Sequence, residues 1–456
     1  MRLLFDHGTL VVTEAPDLSR QAVPGLLWDP RVELYRAPAH RYAEVTEALA
    51  SLRVPFSDQV RRGRSDAARA WSPVELRPYQ QAAVLAWQLA AQRGLVVLPT
   101  GSGKTRVAAA AMATAAAPTL CLVPTRALLN QWLGELSRFY PGAIGCLGDR
   151  RQDVQQLTVA TFESAFRWMP RIGDRFDLLV VDEAHHFGCG VRDEALEMCV
   201  ANRRLGLSAT PPGGPALARL EELLGPVVYQ LGVGDLTGKW LADFDLVVLR
   251  VALDREERAR YDADHQLFAE LNRRFRSMHP TGTWQELVAA ASQSAEGRAA
   301  LRAWRRARQL VSFTRAKAAA VKALLSRHRN AKVLVFTADN TAAYAIAREH
   351  LIMPITCEIG RRERERALQG FREGKLRALV SARVLNEGID VPEAEVAIIV
   401  GATQGEREHV QRIGRLLRPS PGKRATVYEL VTLATSEARS ATERRRGLAA
   451  THARPA

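Results

Sequence analysis

The stretch Leu98-Pro-Thr-Gly-Ser-Gly-Lys-Thr105 continues an apolar run that begins at Leu95 and opens an alanine-rich segment of helical character. A strand, a glycine-rich turn and a helix in that order commit this part of the chain to an α/β architecture. This is how a nucleotide phosphate cradle is built, the glycines letting backbone N–H groups turn toward the phosphates at the helix N-terminus. Thr100, Gly101, Ser102 and Gly103 form the turn, Lys104 has the reach for β- and γ-phosphates, and the Thr105 hydroxyl is placed to hold Mg²⁺. Leu98 stands where the full phosphate-loop pattern has its first glycine, and a plain glycine-rich turn is the competing reading. ATP with Mg²⁺ is the expected ligand.

The same alternation runs on. Short apolar runs at Leu95 to Leu98, Thr119 to Val123, Leu157 to Ala160, Leu178 to Asp182 and Leu205 to Ser208 are separated by helical or irregular stretches, the pattern of a parallel sheet. A second block repeats it with Val333 to Phe336, Ala378 to Ser381 and Val396 to Val400. At 456 residues the chain has room for several cores. The expected fold class is α/β, with two parallel-sheet domains, a small N-terminal module and a helical basic insert.

Residues 1–70 read as the module, with a strand at Gly8 to Val12 and a helix from Arg41 to Leu52. Residues 71–235 read as the first parallel domain and 331–435 as the second. Gly225 to Asp245 reads as a connection. Within 236–330, Asp254 to Lys317 is expected to be helical with a break at Pro280 to Thr283. Its stretch from Arg273 to Arg315 is rich in arginine and holds only two acids, Glu286 and Glu296. A solvated helical face and a nucleic-acid contact explain that composition equally well. Residues 436–456 read as a frayed basic tail.

A net charge of +15 points to a polyanionic partner, with nucleic acid favoured, although the dominance of arginine over lysine also fits a GC-rich genome. No apolar run approaches the roughly 20 residues that a membrane helix needs. The opening Met1-Arg-Leu-Leu-Phe-Asp6 has neither a long apolar core nor a small-residue cleavage site, so a cytoplasmic location is expected, at the nucleoid in a prokaryote. Cys121, Cys146, Cys189, Cys199 and Cys357 lack the short paired spacings of a zinc site and read as reduced, mostly buried thiols.

Chemistry is carried by Leu178-Leu-Val-Val-Asp-Glu-Ala-His-His186, which sets two adjacent acids at the end of an apolar strand. Asp182 suits a Mg²⁺ ligand acting through water, and Glu183 suits the group that orients the attacking water. His185 is placed to couple the nucleotide to a neighbouring segment by hydrogen bonding, and His186 reads as structural. In Gln411-Arg-Ile-Gly-Arg-Leu-Leu-Arg418, Arg415 and Arg418 stand three apart, on one face of a helix, as a pair able to meet one phosphate chain. A solvated basic face is the alternative.

From about residue 76 to 432 the chain resembles the superfamily 2 helicases and translocases of DEAH type, on the XPB branch of DNA repair helicases. Leu76-Arg77-Pro-Tyr-Gln80 is similar to the segment that reads adenine in that family, which implies Arg77 and Gln80 as nucleotide contacts. Pro124-Thr125-Arg126 to Trp132 and Ala160-Thr161-Phe-Glu163 resemble segments that touch the nucleic-acid backbone. Ser208-Ala-Thr210 resembles the motif coupling hydrolysis to domain movement. In the second block, Val333 to Thr337, Leu385-Asn-Glu-Gly-Ile-Asp-Val-Pro392 and Gln411 to Arg418 match family motifs.

The resemblance implies two RecA-like motor domains with ATP between them. It assigns Glu387 to the nucleic-acid track, Gly388 and Asp390 to the nucleotide, and Gln411, Arg415 and Arg418 to catalysis. It also makes residues 1–70 a counterpart of a damage-recognition domain and the insert a counterpart of a thumb. The acidic-basic triplet linked to strand opening in XPB relatives is not placed in this sequence, and the box reads Asp-Glu-Ala-His-His, a form shared with restriction-type translocases.

The expected function is therefore an ATP-dependent DNA helicase or translocase of 3′ to 5′ polarity, acting in repair as a monomer on single-stranded or forked DNA, with a repair nuclease as a conceivable partner. An RNA helicase, a restriction-type double-stranded DNA translocase and a non-catalytic nucleic-acid clamp are the rivals.

Overall fold

The computed structural model describes residues 1–13, 23, 25–53, 55–60, 71–190, 192–232, 235, 243–382, 394–401, 424–438 and 440–441. The chain divides near Gly232 into two compact units.

The first unit opens with a small sheet of β1 (Arg2–Asp6), β2 (Thr9–Thr13), β3 (Leu27–Asp29), β4 (Leu34–Pro38) and β5 (Ser57–Asp58), ordered β3-β4-β2-β1-β5. β1 and β2 are joined by His7 and Gly8, both at positive φ (47° and 87°), as the tightest hairpin turn requires. Gly8 is held to glycine twice over, because a Cβ there would also lie 2.4 Å from the Met198 side chain. The expected helix is present as Tyr42–Ser51, and its Val45 and Leu49 pack on Leu3, Leu10 and Val12. Val200, from the next domain, completes this core, so module and parallel domain share buried surface.

That parallel domain is an eight-stranded sheet of β6 (Arg93–Val97), β7 (Thr119–Val123), β8 (Ile144–Gly148), β9 (Arg151–Asp153), β10 (Leu157–Thr161), β11 (Leu178–Val181), β12 (Arg203–Ser208) and β13 (Val227–Gln230). The spatial order is β13-β6-β12-β11-β7-β10-β8-β9, and every pairing is parallel except β8 with β9. β7, β10 and β11 are buried along their whole length, which explains why their sequences are continuous apolar runs and do not alternate. β13 corrects one expectation. Val227–Gln230 lies inside the stretch read as a connection, yet it pairs with β6 at the sheet edge.

The second unit holds a six-stranded parallel sheet of β14 (Asp243–Val251), β15 (Val333–Thr337), β16 (Met353–Ile355), β17 (Ala378–Ala382), β18 (Val396–Ile399) and β19 (Arg424–Thr432), ordered β14-β19-β18-β15-β17-β16. β14 is a second correction to the connection, since it runs beside β19 for nine residues. The insert forms helices Arg255–Met278, Trp284–Ser292 and Ala295–Ser312. The break falls where Pro280 to Thr283 places it. Asp254 and Thr283 each cap a following helix and receive Glu257 and Glu286 in return, the reciprocal box that starts a helix at a defined residue.

The tail expectation also changes at its start. Glu437 is buried and accepts from Lys317 Nζ at 2.7 Å and from the Thr432 N–H at 2.9 Å. It therefore anchors the chain onto the sheet of this unit, and residues 442–456 lie outside the described residues. No helix among the described residues is long and apolar enough to cross a membrane. All five cysteines are free; Cys189 and Cys357 are exposed and the other three buried.

Candidate nucleotide site and nucleic-acid edge

In a parallel sheet all strands point one way, so residues just past their carboxyl ends gather on one edge. The first unit uses that edge. The phosphate loop follows β6, Thr125 follows β7, Thr161 ends β10, Asp182 follows β11 and Ser208 ends β12. Segments scattered from Thr100 to Thr210 in the sequence thus share one rim.

Gly101 and Gly103 have φ of 84° and 81°, the left-handed region where a side chain is strained. Ser102 Oγ donates to the Pro99 carbonyl at 2.7 Å and closes the loop. Lys104 and the half-buried Thr105 form the first turn of the helix Lys104–Ala115. Lys104 Nζ donates to the carbonyls of Leu98 (3.2 Å) and Pro99 (3.4 Å), folded over its own loop.

Gln80 is buried at the start of the helix Pro78–Leu89 and is fastened at both ends. Its Oε1 accepts from the Arg77 N–H (2.9 Å), and its Nε2 donates to the Ser102 carbonyl (2.7 Å). Tyr79 Oη donates to the same carbonyl at 2.7 Å. A Cβ on Gly103 would lie 2.5 Å from Gln80 Nε2, so the glycine also admits this brace. The Arg77 guanidinium is 3.5 Å from Tyr79 Oη. This brace on the phosphate loop is more than the sequence reading, an adenine contact, foresees.

Asp182 is buried. Burial pushes its carboxyl above the ordinary range, opposed by the Lys104 charge, the Trp132 indole, the Glu183 N–H and the charge of His186. Its Oδ2 accepts from Trp132 Nε1 and its Oδ1 from the Glu183 N–H, each at 2.9 Å. Glu183 itself is held at φ 48°, left-handed for a residue with a side chain, a strain of roughly 1–3 kcal/mol that such sites retain. Its Oε2 is 3.5 Å from His185 Nδ1. His185 Nδ1 is in turn 3.2 Å from Ser208 Oγ, which donates to the Thr210 carbonyl at 2.8 Å. A polar chain therefore runs from the acid pair to the Ser208–Thr210 segment. His186 stacks on His185, with ring centroids 4.5 Å apart, and meets the edge of Phe162.

The rim fits a triphosphate with Mg²⁺. Thr100 Oγ1 and Thr210 Oγ1 are buried and make no hydrogen bond among the described residues, and buried hydroxyls are ordinarily partnered. Together with the loop N–H groups, Lys104 and Asp182, they supply donors for phosphate oxygens and a carboxylate for a hard cation.

On the neighbouring strands, Thr125 and Thr161 are helix N-caps, their hydroxyls accepting from the N–H groups of Leu128 (3.2 Å) and Ser164 (3.3 Å). Their oxygens complete the N-termini of those helices, and Thr161 Oγ1 donates its own proton to Ser164 Oγ at 2.9 Å. Arg126 is exposed, with Nη1 3.9 Å from Asp149. Trp132 was legible only as part of a matched segment; its bond to Asp182 is new. Glu387, Gly388, Asp390, Gln411, Arg415 and Arg418 lie outside the described residues.

Comparison with known proteins finds matches along most of the chain. Residues 3–60 match the XPB helicase damage recognition domain, 73–213 the res subunit of type III restriction enzymes and 316–420 the helicase conserved C-terminal domain. The DNA 3′-5′ translocase XPB2 of Sulfurisphaera tokodaii is 34% identical over 430 residues, covering 94% of this chain and 97% of that protein. The DNA 3′-5′ helicase XPB of Mycobacterium tuberculosis is 30% identical over 396 residues, 82% of this chain and 64% of its own length. The Hef helicase domain of Pyrococcus furiosus superposes with a TM-score of 0.51 at 17% identity, over 81% of this chain and 98% of that one, a likeness of fold. Matched along nearly its whole length, the chain belongs to the XPB family of superfamily 2 helicases and translocases.

Proposed function

We propose that this chain is an ATP-hydrolysing DNA helicase or translocase that moves 3′ to 5′ and acts in DNA repair. The observation that carries the reading is the shared rim: Lys104, Asp182, Glu183, His185 and Ser208 all stand at or past the carboxyl ends of parallel strands of one sheet, and Glu183, His185 and Ser208 lie in one polar chain. Loop N–H groups and Lys104 bind the phosphates, and Thr105 with Asp182 holds Mg²⁺, which supplies charge neutralisation at the phosphates. Glu183 orients the attacking water. Loss of the γ-phosphate changes what Glu183 faces, and the route through His185 and Ser208 passes that change to the Thr210 segment. Arg77 and Gln80 keep the loop in register and meet the base from the same helix start.

Thr125, Arg126 and Thr161 form the nucleic-acid side, gripping phosphates with little sequence preference. Glu387 belongs to the same track, Gly388 and Asp390 to the nucleotide, and Gln411, Arg415 and Arg418 to the transition state, on the strength of the sequence motifs. The substrate is single-stranded or forked DNA, the working form a monomer in the cytoplasm at the nucleoid, with a repair nuclease as a candidate partner.

ATPase assays run in parallel with single-stranded DNA, duplex DNA and RNA, each paired with strand displacement, test the reading. Stimulation by DNA above RNA, with displacement of a strand from a 3′-tailed duplex, is expected. Equal stimulation by RNA would turn the assignment to an RNA helicase, and no turnover with any polymer would make it a clamp.

A further inference from the structure

The buried face of the helix Arg126–Leu136 carries Leu129, Trp132 and Leu136, all at or below 1% exposure. Two of these only fill space. Trp132 also donates its indole N–H across the sheet edge to Asp182 Oδ2, at 2.9 Å. A buried tryptophan needs an acceptor for its N–H, and a backbone carbonyl serves elsewhere in this unit, where Trp87 Nε1 donates to the Arg204 carbonyl at 2.9 Å. Trp132 instead takes the acid that is proposed to hold the metal. Because the other oxygen receives the Glu183 N–H, two donors from different elements fix the plane of the carboxylate.

The helix bearing Trp132 begins at the Thr125 cap with the exposed Arg126 in its first turn. Trp132 lies seven residues after Thr125, about 10 Å along a rigid helix. On the function proposed above, a phosphate seated on that N-terminus and the acid under Trp132 would bear on the same rigid helix about two turns apart. We infer that Trp132 is a positioning residue: its indole N–H sets the Asp182 carboxylate for the metal and makes that setting depend on what occupies the N-terminus of its helix, so that it is one physical route by which DNA stimulates ATP hydrolysis. The inference rests on the function proposed above. It adds a residue, a bond and a direction of coupling.

Trp132→Phe in the full chain removes the N–H and keeps an aromatic ring in the core. Outer partners of metal-holding groups typically matter by 10- to 100-fold. The expected result is a fall of about tenfold or more in the DNA-saturated kcat, a higher Mg²⁺ concentration for half-maximal rate and a smaller ratio of DNA-stimulated to DNA-free turnover, with the affinities for DNA and for ATP in the absence of metal unchanged. A residue that merely packed would leave the Mg²⁺ requirement and the stimulation ratio alone. If Trp132→Phe does not fold, incorporation of the benzothienyl analogue of tryptophan, which replaces the N–H by sulfur at nearly equal size, puts the same question. Wild-type-like Mg²⁺ dependence and stimulation in the folded variant overturn the inference alone. A wild-type chain that DNA does not stimulate overturns the proposed function and the inference with it.

Discussion

The two edges of the eight-stranded sheet bury charge in opposite ways. At the amino edge Arg204 is fully buried, and its guanidinium donates to the carbonyls of Ala201 (2.8 Å), Leu196 (3.1 Å), Leu223 (2.9 Å) and Cys199 (2.7 Å). Burial lowers its pKa to about 10, which leaves it charged at neutral pH. At the carboxyl edge Asp182 is buried with its pKa raised, Glu183 is strained, and the Thr100 and Thr210 hydroxyls have no partner among the described residues. A buried polar group whose valences are filled by its own chain holds a structure together. One left strained and partly unfilled is set for something that arrives.

The amino edge is also where the N-terminal module docks. Gly8 sits on Met198, Phe5 meets Gly173, Val200 enters the module core and the Arg41 guanidinium lies 3.8 Å from Glu222. Module and sheet thus share a packed face on the side away from the phosphate loop.

If the edges differ in this way, substitutions should separate rate from stability. Lys104→Ala should lower ATP turnover by about 10³-fold or more, as losing a phosphate-charge partner does, while the thermal unfolding midpoint stays within about 2 °C. Arg204→Leu should do the reverse. It leaves four carbonyls short of donors and should cost about 3–5 kcal/mol in urea unfolding, with kcat per folded molecule unchanged. A fall in kcat without a fall in stability there would break the distinction.

His40 sharpens it through pH. Burial, then the charges of Arg204 and Arg41, lower its pKa from 6.5 to about 4. The folded chain therefore holds His40 neutral where the unfolded chain protonates it. Stability from this group is complete above about pH 6.5 and is lost as pH falls toward 4, an effect of roughly 3 kcal/mol. Unfolding free energies of wild type and His40→Leu from urea titrations between pH 7 and 4.5 should diverge by roughly 2–2.5 kcal/mol, most of that effect; parallel curves would show that the module interface does not bury the histidine.

The smallest expected effect concerns the insert. Arg306 is paired there with Asp264, Nε to Oδ2 at 3.1 Å, which weakens it as a phosphate partner. Arg302 and Arg305 are exposed. Neutralising those two should reduce the salt dependence of duplex binding by about 0.9 on a log-log slope for each phosphate that an arginine no longer neutralises. An unchanged slope makes the insert a scaffold.

Much of the fold was legible because both of its signals are local. β7, β10 and β11 are continuous apolar runs, and the phosphate loop is a contiguous motif. β13 and β14 escaped because their pairing is not local. Val227–Gln230 is a four-residue edge strand between glycines and a proline, and Asp243–Val251 finds its partner only at Arg424–Thr432. The site shows the same limit. Asp182 and Lys104 announce themselves by motif, whereas the Gln80 brace on Ser102 and the Trp132 bond to Asp182 join distant segments. The one clue in sequence was a tryptophan at the buried spacing of an amphipathic helix, whose N–H must find an acceptor. Likewise the capping duty of Thr125 and Thr161 shows only once each is seen at the end of a strand where a helix begins.

The most direct test of the proposed ATP-driven motor is ATP hydrolysis by wild type and Glu183→Gln, each with and without single-stranded DNA, alongside equilibrium binding of ATP and DNA. DNA-stimulated turnover is expected in wild type and its loss in Glu183→Gln, with both ligands still bound. Undiminished turnover in Glu183→Gln would contradict the role given to the acid pair and, with it, the motor.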